Sequence, residues 1–77
     1  MDERKVNTTL INRWIERAGK NGLGKLSIRA DVSQSVIAHA RTGAAPAKTD
    51  TRQKIANALG LSEDEVFPLV SASESAS

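Results

Sequence analysis

Seventy-seven residues, 39% of them apolar and only Trp14 and Phe67 aromatic, suffice for one modest core around a few aliphatic anchors, and no alternating β-branched run offers a sheet. Cysteine is absent, which excludes disulfides, thiolate zinc sites and a cysteine nucleophile. The net charge of +2 is unevenly spread: residues 1–54 hold all eleven Lys and Arg against five acids, while residues 55–77 hold four acids and no base. A polyanion suits the first part and not the second, although solvation of an ordinary surface explains the same asymmetry.

Residues 1–7 lack periodicity and read as a flexible arm without a signal-peptide core, and no apolar stretch approaches a membrane span, so no membrane role and a cytoplasmic location are expected. Asn7, Thr8 and Thr9 offer caps for a first helix whose apolar face is Leu10, Ile11, Trp14, Ile15 and Ala18, ending within Gly19 to Gly22. Leu23, Leu26, Ser27 and Ala30 mark a second, short helix, with Asp31 where the chain must turn. Ser33 then caps a third helix over residues 33–42, with Val36 or Ile37 and Ala40 facing inward and Gly43 at its end. After a loop over residues 43–49, Asp50 with Gln53 forms a capping-box signature for a fourth helix carrying Ile55, Ala56 and Leu59, closed by Gly60. Ser62 with Glu65 repeats it for a fifth, which holds Val66 and Phe67 and is cut short by Pro68. Trp14, Ile15, Ile37, Ile55, Leu59 and Phe67 read as core. The expectation is an all-α, compact five-helix bundle over residues 8–70, followed by a disordered polar tail at 71–77.

One constellation has the spacing of two short helices crossing steeply about a tight turn: Leu26 and Ser27, then Asp31, Val32, Ser33, Gln34 and Ser35, then Ile37, Ala40 and Gly43. A small residue at Ser27 lets the next helix approach, Asp31 tolerates the turn, and Ile37 plugs the angle between the helices.

At these residues the chain resembles the lambda-type phage repressor and Cro family of helix-turn-helix regulators, and the likeness runs from about Leu10 to Leu69. The resemblance implies a transcriptional regulator, of repressor type, that binds a double-stranded DNA operator and reads the major groove with the helix at 33–42. Ser27 stands where the family usually has Ala and Asp31 where it has Gly; both are tolerable in size or turn geometry. The second helix starts with Gly22 and Leu23 where many members place a polar cap and a phosphate-gripping glutamine, leaving Lys25 and Arg29 as substitutes. Arg41 replaces a glutamate that pairs with a first-helix arginine, so a reversed pair with Glu16 is open.

The resemblance assigns base reading to Gln34 and Ser35 at the start of the third helix, and a glutamine amide can bond both N6 and N7 of adenine. The alternative is that Gln34 is an ordinary first-turn polar residue. His39 lies on a compatible face, as base reader or as a solvated imidazole. Phosphate contacts fall to Lys25, Arg29, Ser33, Arg41, Thr42, Gly43, Lys48 and Thr49, through side chains and loop backbone N–H groups. Arg4 and Lys5 on the arm reach a groove or do nothing. Val66, Phe67, Leu69 and Val70 either close the core or form a symmetric contact for a weak homodimer on DNA.

No nucleophile–base pair, phosphate-cradling glycine loop or metal cluster is visible, so no enzyme activity, cofactor, metal or small-molecule ligand is expected. A competing reading keeps the fold but makes it a protein-interaction module, an antitoxin or antirepressor, with its acidic last third as the partner surface.

Overall fold

The computed structural model describes residues 4–69, which form five α-helices: α1 (Thr8–Ala18), α2 (Gly22–Ala30), α3 (Gln34–Arg41), α4 (Thr49–Leu59) and α5 (Glu63–Val66). The only strand-like feature among them is an isolated antiparallel bridge between Arg4 and Leu69. The described residues are therefore all-α, and no helix among them is long and apolar enough to cross a membrane.

Local chemistry explains most of the boundaries. The α1 stripe puts Ile11 and Ile15 inside, with Leu10 and Trp14 half-buried against them, until Gly19 at φ 80° stops the helix. Asn21 takes a left-handed conformation, after which Gly22 opens α2 against the backbone of α1. A Cβ at Gly22 would run into the carbonyl oxygen of Ile15. That close approach leaves no room for a larger side chain at this position.

Asp31 ends α2 at φ 60°, and the Ser33 hydroxyl accepts the Val36 N–H to start α3. Ser27, buried on α2, turns its hydroxyl onto the Gly24 carbonyl at 2.8 Å and so adds no unpaired polar atom to the packed side. At α5 the capping box is complete: the Ser62 hydroxyl accepts from the Glu65 N–H and the Glu65 carboxylate accepts from the Ser62 N–H.

α2 packs against α1, α3 and α4, α1 also touches α3 and α5, and α4 lies on α5. Ile11, Leu26, Ile37, Ala40, Ile55, Val66 and Phe67 are fully buried where these helices meet. Trp14 and Leu59, expected inside, are half-buried at the edge of this cluster.

Further expectations about helix starts, the C-terminal patch and the N-terminal segment need correction. Asp50 does not cap α4: the helix begins at Thr49 with Lys48 as its extended N-cap residue, so Asp50 sits inside the first turn. Val66 and Phe67 are core side chains and offer nothing to a second copy; of the four apolar residues proposed as a dimer contact, Leu69 is 44% exposed and Val70 lies outside the described residues.

The segment at 1–7 is not a free arm over its described part. The Lys5 N–H donates to the Pro68 carbonyl and the Asn7 N–H to the Val66 carbonyl, while the Arg4 guanidinium donates to the Phe67 carbonyl and to Asp64, each at 2.9 Å. Arg4 is thereby committed to the C-terminal segment and not to a groove. The polar tail at 71–77 lies outside the described residues.

Candidate nucleic-acid interface

α3 is eight residues long and strongly two-sided. Ile37 and Ala40 point into the core, which leaves Gln34, Ser35, His39 and the following Thr42 exposed. Ser35, His39 and Thr42 recur at the four- and three-residue steps that align side chains on one helix face. Gln34 sits beside them in the first turn. The side chains of Gln34, Ser35 and His39 bond to none of the described residues, so their donors and acceptors are free.

The residues after α3 divide into free and occupied groups. The Thr42 hydroxyl donates back to the His39 carbonyl at 2.9 Å, and the N–H groups of Thr42, Gly43 and Ala44 also turn inward to His39 and Ala40 carbonyls. These backbone groups close the end of α3, which removes Thr42 and Gly43 as amide donors to phosphate. Gly43 makes the turn possible at φ 113°.

Beyond them, Ala45, Pro46, Ala47, Lys48 and Thr51 face Val36 and His39 across a cleft of about 280 Å³. Lys48 and His39 thus share one cleft beside the exposed row of α3. The first-turn N–H groups of α4 have no side-chain cap, and such amides favour an anion.

A residue not singled out by sequence shapes this loop. Arg52 on α4 is buried, its Nε donates to Glu63 of α5 at 2.7 Å, Nη1 donates to the carbonyls of Pro46 and Ala47, and Nη2 to the Thr49 hydroxyl. Arg4 approaches the same Glu63 carboxylate at 3.7 Å. One guanidinium fork therefore fixes the loop that carries Lys48 to the first residue of α4, Thr49, with a carboxylate balancing its charge. In sequence Arg52 is one more base in a polar helix start; its partners on α5 and in the loop give no local signal.

The remaining predicted phosphate residues are placed less freely. Lys25 reaches back to the Ala18 carbonyl at 2.9 Å and closes the end of α1, and Arg29 Nε donates to Ala58 on α4 at 2.8 Å. Both remain exposed cations. The Ser33 hydroxyl caps α3.

Arg41 is half-buried and exchanges bonds with Asn12 of α1: its Nε donates to Asn12 Oδ1 at 2.9 Å, and Asn12 Nδ2 donates to the Arg41 carbonyl at 3.2 Å. The partner is Asn12, not Glu16, because Asn12 is the α1 side chain beside the end of α3. Among the described residues no group of three or more His, Asp or Glu side chains is placed to hold a metal ion. No family model, curated protein or solved structure matches the chain.

Proposed function

We propose that this protein is a sequence-reading regulator of double-stranded DNA, a helix-turn-helix unit formed by α2 and α3, with α3 entering the major groove. The observation that carries the reading is the free row of Gln34, Ser35 and His39 on a helix whose other side is sealed by Ile37 and Ala40. A helix anchored in this way presents amide, hydroxyl and imidazole groups with no partner among the described residues, which suits the donor and acceptor code of base edges.

Two further features support it. The turn at 31–33 is short and uses a left-handed Asp31, as the sequence resemblance to lambda-type repressors and Cro proteins requires. Lys48 and the uncapped amides of α4 lie one loop away from the row, where phosphate contacts would set the register. Two copies on a palindromic operator would place their α3 helices about one helical turn, ~34–36 Å, apart.

Selection of bound sites from random duplex DNA tests this reading. The expected product is a short consensus, and its repetition with two-fold symmetry at about one-turn spacing would show that two copies bind together. A pool that gains no consensus over successive rounds refutes sequence reading.

A further inference from the structure

A second cleft lies between α1 and the α4–α5 junction, lined by Leu10, Arg13, Trp14, Arg17, Leu59 and Leu61. It shares no residue with α3 or the loop after it. Its floor is apolar and includes the half-buried tryptophan, and its basic rim comes from two arginines one turn apart on α1. Neither Arg13 nor Arg17 bonds to any described residue.

We infer that this cleft docks an acidic amphipathic segment of a partner protein, with an apolar side chain on the Trp14–Leu59–Leu61 floor and carboxylates on Arg13 and Arg17. At about 170 Å³ the cleft is smaller than the roughly 300–1,000 Å³ of a small-molecule pocket, and it suits one or two side chains of a longer segment. Tryptophan and arginine are both enriched among the side chains whose truncation costs most at protein interfaces. Arg13 and Arg17 fall about 5–6 Å apart along the helix, the separation of two carboxylates one turn apart on a helix lying alongside.

Charge complementarity names the occupant. Among the described residues a second copy has few uncommitted carboxylates to offer from its acidic end: Glu63 serves Arg52 and Arg4, Asp64 serves Arg4, and Glu65 caps Ser62. A phosphate backbone would meet the two arginines but would leave the tryptophan and leucines facing hydrated charge. A segment combining leucine with glutamate satisfies floor and rim together.

Trp14 is the only tryptophan in the chain, so its fluorescence reports occupancy directly. The full chain is titrated with a synthetic helical peptide in which a leucine is flanked by glutamates at i and i+4, and with the same peptide carrying lysines instead. The glutamate peptide is expected to shift Trp14 emission to the blue, saturably and less at high salt, and the lysine peptide to leave it unchanged. Arg13→Glu with Arg17→Glu should weaken the glutamate peptide by about tenfold, the sum expected of two partly exposed ion pairs.

Equal response to both peptides, or to neither, overturns the inference. So does a shift that grows with protein concentration alone, which assigns the cleft to a second copy, or one produced by duplex DNA, which assigns it to phosphate. Should the double variant fail to fold, the salt dependence and the peptide charge preference of the unaltered protein decide the matter.

Discussion

At the scale of single residues, two positions define the α2–α3 corner and make opposite predictions. Asp31 holds a left-handed conformation that costs an ordinary side chain about 1–2 kcal/mol and Asp somewhat less. Its side chain recovers little, since its Lys54 contact is long at 3.8 Å and the carboxylate is exposed. Asp31→Gly should therefore stabilise the protein by about 0.5–1 kcal/mol, read as a melting temperature raised by a few degrees. A lowered melting temperature would show that the Asp31 side chain contributes more than the turn costs.

Ile37 is fully buried where α3 meets the core, so Ile37→Ala should cost about 2–5 kcal/mol, a large share of the stability of a small protein. Chemical denaturation measures it, and a loss below about 1 kcal/mol would contradict the packing described here. Both residues were legible in sequence, because turn tolerance and apolar spacing are local properties. Arg41 was not: its side chain answers Asn12, 29 residues away, and no local pattern announces that pair.

At the scale of elements, legibility followed the range of the interaction. The α5 capping box lies within four residues and was read correctly. The Asp50 box is not formed, because Arg52 within α4 ties the start of that helix to groups outside it, the Pro46 and Ala47 carbonyls and Glu63 of α5, while also donating to the Thr49 hydroxyl.

The same fork couples α5 to the loop at 43–48, and this makes a prediction about both stability and binding. Arg52→Ala strands the partly buried Glu63 carboxylate and two loop carbonyls, and should destabilise by about 3 kcal/mol. Arg52→Lys keeps the charge but loses the planar fork. It should lower the melting temperature less than Arg52→Ala while still weakening DNA binding through a loosened Lys48 loop. Measured by calorimetry and by titration of a selected duplex, equal DNA affinity for Arg52→Lys and the unaltered protein would separate the loop from the interface.

At the scale of the whole molecule, the chain closes on itself through contacts that sequence patterns do not encode. The Arg4 to Asn7 segment runs beside Val66 to Leu69, and Arg4 reaches Asp64 across sixty positions. For that reason a charged N-terminus resembled an arm and an apolar C-terminus resembled an interface, while both are parts of the closure. Ile28, 79% exposed on α2, likewise interrupts a face that sequence would make polar, and nothing in the structure explains it. What the pattern did carry was the all-α architecture, the order of the helices and the exposed face of α3.

That face bears the central claim, and one measurement addresses it most directly: the affinity of the protein and of Gln34→Ala for a selected duplex and for mixed-sequence DNA, each over a range of salt. Phosphate contacts predict a linear fall of log K with log salt, about 0.9 per phosphate neutralised, on both duplexes. Loss of the paired amide contact at Gln34 predicts a cost of about 1–3 kcal/mol on the selected duplex and little on mixed-sequence DNA. Equal losses on the two duplexes, or affinities indifferent to salt, would contradict the assignment of α3 to the major groove.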